Sequence, residues 1–329
     1  MNQPPLNRRT IFSAAALAGL ALRPRWTLAQ DTATPSATPR LTLTPLPEIA
    51  ARDGKPVAVV ATTPLLADLA RQIGGARVDA VSVLPADADP HEFEPSPQDL
   101  VAASNADLIL EHGLHLDDWA KDLVANADSN AVVLVTTKNV KTISASSATE
   151  NFDQGDPHVW FDPRNIETMV ADIAAALTQF DAAGAQGYAA RLAAYTAQLQ
   201  ALDSWIATQI DTIPIARRKL VTNHDAFGYF VAHYQIEFVG AVIPSLDSRA
   251  EPSAKETAAL IDKIAAEGVP AIFTESSINP KLEEELGKQA GVKVVPNLYG
   301  DNLGAAGSGA DTYLAMMQTD VNLIVSALR

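Results

Sequence analysis

Residues 57–84 read VAVVATTPLLADLARQIGGARVDAVSVL, a stretch in which two short apolar runs flank an amphipathic segment. Val57–Thr62 and Val78–Leu84 have the valine-rich composition of buried strands, and Pro64–Ile73 has the spacing of apolar residues typical of a helix. A strand, a helix and a strand in this order predict a parallel α/β unit. Residues 57–84 therefore place the chain among the α/β proteins.

The same alternation of strand and helix patterns continues along the chain, with one interruption. Two long helical patterns rich in alanine and leucine occur at Asn165–Phe180 and Ala185–Ile213, with no strand pattern between them. After them the alternation of strands and helices restarts. We therefore predict two similar α/β lobes with mainly parallel sheets joined by a long rigid helix, with lobes at residues 55–184 and 214–329 and the helix at residues 185–213.

The beginning of the chain has the composition of an export signal. Arg8 and Arg9 precede the apolar run Ile11–Leu22, which is too short to span a bilayer and is followed by small residues suited to cleavage. We expect residues 1–29 to be a signal peptide, and the arginine pair fits either the general secretory or the twin-arginine route. Residues 30–54, rich in threonine and proline, are expected to be a flexible segment.

Composition excludes several partners and kinds of chemistry. The sequence has 24 basic residues, 39 acidic residues and no cysteine, and without its leader it keeps 20 basic residues and a net charge of about −19. This acidic excess argues against nucleic acid and anionic membrane surfaces as partners. The lack of cysteine excludes disulfides, thiolate metal sites and a lipid-modified cysteine. We therefore expect a soluble periplasmic protein that is not lipid-anchored.

Two Asp-Pro-His motifs stand out among the six histidines. His91 lies in the segment Asp89–Pro95, and His158 lies in Asp156–Pro163, each beside aromatic residues and further acids. The proline restricts the backbone beside the imidazole, and the carboxylates can orient its second nitrogen, as metal-ligating histidines require. A single motif of this kind is more often a surface loop, but its repetition favours a metal site.

Further polar residues fall where predicted strands end. His224 follows the strand pattern Lys219–Thr222 and is expected to begin a helix. Glu275 ends another strand pattern, and Asp301 lies in a glycine-rich loop after a third. Ligands bind beyond the carboxyl ends of parallel strands, because loops and helix N-termini converge there. Three histidines with one or two carboxylates at such an edge form a donor set for zinc that needs no thiolate.

The remaining histidines have a structural or surface interpretation. The spacing of His112 and His115 suits either a chelating pair or a polar loop between a strand and a helix, and we favour the loop. His233 follows an aromatic helix face and is expected to be packed or at the surface. None of these three side chains is expected to bind a metal.

Taken together, the motifs resemble the cluster A-I solute-binding proteins of ABC transporters, which are receptors for zinc and manganese. The matching segments occur in the same order as in that family, and they are Asp89–Pro95, Asp156–Pro163, Asn223–Phe230, Phe273–Glu275 and Leu298–Gly304. The resemblance implies two α/β lobes joined by a rigid helix, with a metal ion in the cleft between them. It also implies a membrane permease as partner, and a receptor rather than an enzyme.

Carried over position by position, the resemblance makes His91 and His158 the metal ligands of the first lobe, and His224 and Asp301 those of the second. Glu275 also matches a family motif and is expected to lie behind the ligands, with a role as an alternative ligand left open. A histidine at position 224 is similar to the zinc branch of the family, whereas manganese receptors tend to have glutamate there. Imidazole also suits zinc better than manganese, so we predict Zn²⁺ as the captured ion and Mn²⁺ as the alternative.

The expected function is capture of zinc by a monomer and its delivery to the permease, with a periplasmic metallochaperone as a further candidate partner. The alternative from another class is an exported zinc hydrolase, in which His91, His158 and His224 bind the metal and Glu275 is the general base. That alternative leaves Asp301 unexplained, and the sequence has no His-x-x-x-His motif.

Overall fold

The computed structural model describes residues 39–86, 88–144 and 152–329. The predicted signal peptide at residues 1–29 lies outside these ranges, as does the first part of the predicted flexible segment 30–54. Over the described ranges, no helix combines the length and the apolar character needed to cross a membrane.

A four-stranded parallel sheet with the strand order β2-β1-β3-β4 forms the first lobe. Its strands are β1 Val57–Ala61, β2 Val78–Ser82, β3 Leu108–Glu111 and β4 Val132–Val135. The helices of this lobe are α1 Pro64–Gly74, α2 Pro97–Ser104 and α3 Trp119–Asn126. The parallel unit predicted from residues 57–84 is confirmed, with Val57 paired with Val78.

Local sequence explains why α1 forms where it does. Thr63 caps the helix by accepting a hydrogen bond from the Leu66 amide at 3.4 Å, and Pro64 occupies the first turn, where a missing amide hydrogen costs nothing. Leu66, Leu69 and Ile73 recur at helical spacing and are fully buried. Each such side chain stabilises the fold by about 1.5–3 kcal/mol on burial.

The long helix between the lobes is α5, Ala185–Asp211. Its buried face carries side chains three or four residues apart, namely Tyr195, Leu199, Leu202, Ile206 and Ile210. It packs against α1 of the first lobe, against the preceding helix α4, Pro163–Phe180, and against the last helix of the second lobe. Because α5 contacts both lobes along its length, it joins them as a rigid element.

Two parallel strand pairs form the second lobe, and β5 lies beside β7. The strands are β5 Lys219–His224, β6 Glu237–Ile243, β7 Ala271–Glu275 and β8 Lys293–Leu298. The helices are α6 Gly228–Tyr234, α7 Ala254–Glu267, α8 Lys281–Ala290 and α9 Tyr313–Leu328. The two-lobed α/β architecture is thus confirmed, while the lobe boundaries at residues 184 and 213 stay predictions.

The structure corrects the local prediction for His224. The sequence placed it after a strand and at the start of a helix, but it is the last residue of β5 and pairs with Ile243 of β6. The helix α6 begins only at Gly228. Strand pairing with β6 outweighs the weak strand propensity of the polar residues Asn223 and His224, because propensity in sheets depends on the neighbouring strand.

Residues 39–51 of the predicted flexible segment, which we call the strap, contact the rest of the fold, while the flexibility of residues 30–54 stays a prediction. Hydrogen bonds join the backbone of the strap to side chains of α5 and α9. Leu41, Leu43, Leu46 and Ile49 pack against the main core. The spaced apolar residues give the strap one buried face, which a count of threonine and proline residues does not reveal.

A buried ion pair fixes the start of α5 to the first lobe and to the strap. Arg77 donates to both carboxylate oxygens of Asp181, at 2.5 and 2.8 Å, and the Tyr188 hydroxyl donates to the same carboxylate at 2.7 Å. Arg77 also donates to the carbonyl oxygen of Ala50 in the strap. The bonds from Arg77 lower the pKa of Asp181 to about 2.

We predict that Asp181→Asn lowers the melting temperature at pH 7 by about 5 °C or more, because it leaves the buried Arg77 without its bidentate partner. The lowered pKa of Asp181 stabilises the protein above about pH 4, and this contribution is lost as the pH falls toward 2. The difference between wild type and variant should therefore shrink between these pH values in thermal unfolding followed by circular dichroism. Asp262→Asn, at an exposed position of α7, is the control. Equal melting temperatures at pH 7 would contradict the prediction.

Candidate metal centre

Four buried side chains meet where the two lobes face each other. His91 and His158 come from loops of the first lobe, and His224 and Asp301 come from the end of β5 and the loop after β8. Each offers one donor atom, and the four atoms lie within 4.8 Å of one another. The structure therefore brings together all four side chains that the sequence predicts as metal ligands.

Four distances between donor atoms of the site are close to those of a tetrahedral metal site. One carboxylate oxygen of Asp301, Oδ2, lies 3.3 Å from His224 Nε2 and 3.6 Å from His91 Nε2. The other, Oδ1, lies 3.4 Å from His158 Nε2. The Nε2 atoms of His158 and His224 are 3.3 Å apart. Zinc–ligand bonds of about 2.0–2.1 Å in a tetrahedron place neighbouring donor atoms about 3.3–3.4 Å apart.

Three of the donor atoms have no hydrogen-bond partner. His91 Nε2 and both carboxylate oxygens of Asp301 are buried and unpaired. Burying a carboxylate without a partner costs free energy, so such atoms are rare in folded proteins. A divalent cation among the four side chains would satisfy all three atoms at once. The donor set therefore fits a metal ion.

Both Asp-Pro-His motifs use their aspartate to fix the histidine. Asp156 Oδ1 accepts from the His158 amide at 2.9 Å and lies 2.7 Å from His158 Nδ1. With Nδ1 bonded to the carboxylate, the lone pair of Nε2 is free to point at Asp301. In the first motif, Asp89 Oδ1 accepts from the His91 amide at 2.8 Å. The sequence repeat thus corresponds to a repeated local structure.

The carboxylate of Glu275 supports His224 from behind. Glu275 ends β7, and its Oε1 atom lies 2.7 Å from His224 Nδ1, which leaves Nε2 facing Asp301. The other oxygen of Glu275 packs against Gly300, where an added Cβ would lie only 1.8 Å from it. A carboxylate enclosed in this way cannot reach a substrate in the cleft, so the geometry does not favour Glu275 as the base of a hydrolase.

The pKa values of the side chains in the site are shifted in different directions. Burial lowers the pKa of His91 to about 4. Burial also acts to lower the pKa of His224, but the charges of Asp301 and Glu275 outweigh it and raise that pKa. Burial acts to raise the pKa of Asp301, and the neighbouring histidines, His224 foremost, hold that pKa below its usual value. Without metal, the raised pKa favours the protonated form of His224, and the lowered pKa favours the neutral form of His91.

The other three histidines lie outside this group. His112 is fully buried, and its Nε2 atom lies 2.8 Å from the carbonyl oxygen of Pro157, so it supports the second Asp-Pro-His motif. His115 and His233 are partly exposed and are paired with carboxylates. His112 is thus a packed, structural histidine, and His115 and His233 lie near the surface.

Sequence reasoning missed the residues that hold the loop of Asp301. Trp160 donates from Nε1 to the carbonyl oxygen of Gly300 at 3.0 Å, and Asn302 donates to backbone carbonyls of the first lobe. Trp160 stands two residues after a predicted ligand, and Asn302 stands next to another. That proximity is the only sequence signal that could have pointed to them, since their partners are distant in the chain.

Comparison with known proteins agrees with the fold and the site. The family model described as "Zinc-uptake complex component A periplasmic" matches residues 59–327. Because this match covers most of the chain, the chain belongs to that family of metal ABC transporter substrate-binding proteins. It is a receptor and not an enzyme. The resemblance inferred from the motifs is therefore confirmed.

Individual relatives carry names with different metals. The manganese-binding lipoprotein MntA of Halalkalibacterium halodurans is 34% identical over 276 residues, covering 84% of this chain and 90% of the relative. The iron ABC transporter substrate-binding lipoprotein MtsA of Streptococcus pyogenes is 30% identical, covering 82% of this chain and 88% of the relative. The periplasmic zinc binding protein TroA from Treponema pallidum matches with a TM-score of 0.76 at 31% identity, covering 84% of this chain and 99% of TroA. These names agree on metal binding and differ in the ion.

We predict that Glu275→Gln lowers the affinity for zinc by about 10–100-fold, because glutamine keeps the shape of the side chain but weakens the orientation and basicity of His224. Isothermal titration calorimetry on metal-free protein would measure the change. Glu237→Gln, at an exposed position of the same lobe, should bind like the wild type. Wild-type affinity in Glu275→Gln would contradict the role of Glu275.

We also predict that zinc binding releases about one proton at pH 7, because the metal must displace the proton that the raised pKa of His224 retains. Affinity should accordingly fall as the pH falls, since protons compete for the same nitrogen. Calorimetry in buffers of different ionisation enthalpy counts the released protons. A binding enthalpy that is independent of the buffer would show that His224 carries no proton in the metal-free state.

Proposed function

We propose that this protein captures Zn²⁺ outside the cytoplasm and delivers it to the permease of a metal ABC transporter. One observation carries the proposal, namely three imidazole nitrogens and one carboxylate that lie within 4.8 Å of one another, with His91 Nε2 and both Asp301 oxygens buried and without another hydrogen-bond partner. Zinc prefers four ligands in this geometry, and imidazole suits it well. The proposed ligands are His91, His158, His224 and Asp301.

A fully occupied coordination shell suits transport. Four protein ligands fill the tetrahedral positions of zinc and leave no place for an activated water. The ion is therefore held as cargo, and its release requires that at least one ligand move away. Because two ligands come from each lobe, metal binding stabilises the closed arrangement of the cleft. The rigid helix α5 limits the opening to a small tilt of the lobes or a loop movement.

Manganese is the second candidate for the transported ion. Both carboxylate oxygens of Asp301 are unpaired and face the histidines, so this side chain could supply two ligands to an ion with a higher coordination number. A relative 34% identical to this chain is named as manganese-binding. On affinity alone zinc displaces manganese from most sites, so availability outside the cell also affects which ion is carried.

The proposed location is the periplasm, with the protein acting as a soluble monomer. The relatives MntA and MtsA are named as lipoproteins, but this sequence has no cysteine to which a lipid could be attached by a thioether. Fractionation of cells should therefore place the protein in the soluble extracytoplasmic fraction. Recovery with the membranes after a high-salt wash would contradict this location. A periplasmic metallochaperone remains a candidate donor of the metal.

Competition between the two metals tests the proposed cargo. We predict that metal-free wild-type protein binds one Zn²⁺ and that excess Mn²⁺ does not displace it, as measured by calorimetry and by metal analysis after dialysis. Replacing His224 by glutamate should move the preference toward Mn²⁺ by about tenfold or more, because carboxylate oxygen suits the harder ion. His115→Glu, outside the site, is the control. Stronger binding of Mn²⁺ than Zn²⁺ by the wild type would overturn zinc as the cargo.

A further inference from the structure

The Asp301 carboxylate is held by electrostatic contacts with the histidines of the site, of which His224 is foremost. Both of its oxygens are buried and face the Nε2 atoms of three histidines at 3.3–3.6 Å. The position of the carboxylate before metal binding therefore depends also on the backbone that carries Asp301. We call residues 299–304 the Asp301 loop. Contacts that hold the Asp301 loop in place therefore also hold Asp301, the fourth proposed ligand, in place.

The neighbour of Asp301 bonds the Asp301 loop to the first lobe. Asn302 is 5% exposed, and its Nδ2 group donates to the carbonyl oxygens of Pro85 at 2.9 Å and Ala88 at 2.7 Å. Its Oδ1 atom accepts from the amide of Leu303 at 2.9 Å. Both amide hydrogens and the amide oxygen are thus used, and the two acceptors lie on the first-lobe segment that leads from β2 to the first Asp-Pro-His motif.

A second bond from the first lobe reaches the other side of Asp301. Trp160 Nε1 donates to the carbonyl oxygen of Gly300, and the Trp160 ring lies edge-on to the His158 ring at 5.4 Å. Residues 300 and 302 are therefore both attached to the first lobe, although the loop belongs to the second. Trp160 and Gly300 are 140 residues apart in the chain and belong to different lobes. These contacts therefore hold the two lobes together at the metal site.

We propose that Asn302 is a positioning residue that holds Asp301 against the three histidines and thereby sets the rate at which the metal leaves. This inference rests on the proposed function. With Asn302 in place, the ion meets a preorganised fourth ligand. Without it, the Asp301 loop is held on one side only, Asp301 moves away more often, and water takes its place on the metal. Association through the three histidines is left nearly unchanged, so the effect falls on dissociation.

Co²⁺ is the probe for the experiment, because the visible absorption of bound Co²⁺ changes with the identity and the number of its ligands. Asn302→Asp keeps the shape of the side chain and removes both donated hydrogens, and it places a carboxylate oxygen against the carbonyls of Pro85 and Ala88. We expect dissociation into excess chelator, followed by stopped flow, to be about tenfold faster or more, with association within about twofold of wild type. The visible absorption spectrum of the bound Co²⁺ should differ from that of the wild type, because water replaces the carboxylate in part of the molecules.

Two further variants make the test specific. Trp160→Phe keeps the aromatic ring beside His158 and removes the hydrogen donated to Gly300, so it should change dissociation and absorption in the same direction. Asn322→Ala removes an amide that donates to the carbonyl oxygen of Pro39 at 3.1 Å, in the strap, and should behave like the wild type. Circular dichroism of each metal-free variant confirms that it is folded.

The outcomes separate this inference from the carrier function. Wild-type dissociation rate and absorption in both Asn302→Asp and Trp160→Phe would overturn the role of Asn302 while leaving the carrier function standing. A change confined to the association rate would also overturn it. If the wild type itself binds neither Co²⁺ nor Zn²⁺, the carrier function fails, and with it the inference that depends on it.

Discussion

One buried carboxylate organises the metal site. Asp301 lies 3.3–3.6 Å from three imidazole nitrogens, and no other group among the described residues donates a hydrogen bond to its carboxylate. Such an arrangement is unfavourable unless positive charge is close, whether a proton on His224 or a metal ion. Glu275 favours the protonated form of His224, because its carboxylate lies beside Nδ1 on the other side of the His224 ring. A metal ion that replaces the proton gains four ligands at once.

Two lobes are needed because neither carries a complete ligand set. Parallel strands bring loops to one edge of each lobe, and the lobes face each other across these edges. Because α5 packs against both lobes, we expect their separation to change little, so that small shifts of a loop would add or remove a ligand. Asn302 and Trp160 attach the Asp301 loop to the first lobe, which places control of the fourth ligand at the contact between the lobes.

The architecture could be predicted from the sequence because it depends on local patterns, whereas the full set of four ligands came from the family resemblance. Apolar periodicity identified most strands and helices, and the repeated Asp-Pro-His motif reflects hydrogen bonds within two residues. Local patterns were not sufficient where the structure depends on partners distant in the chain. His224 extends β5 because β6 lies beside it, and residues 39–51 bond to side chains of α5 and α9. The role of Asn302 needs acceptors more than two hundred positions away.

The central claim is that His91, His158, His224 and Asp301 bind one metal ion together. Anomalous X-ray diffraction from crystals of the zinc-loaded protein, recorded on both sides of the zinc absorption edge, tests it most directly. The account predicts a single strong peak within bonding distance of three Nε2 atoms and the Asp301 carboxylate, with ligands from both lobes. A peak elsewhere, or an ion bound by residues of one lobe alone, would contradict it.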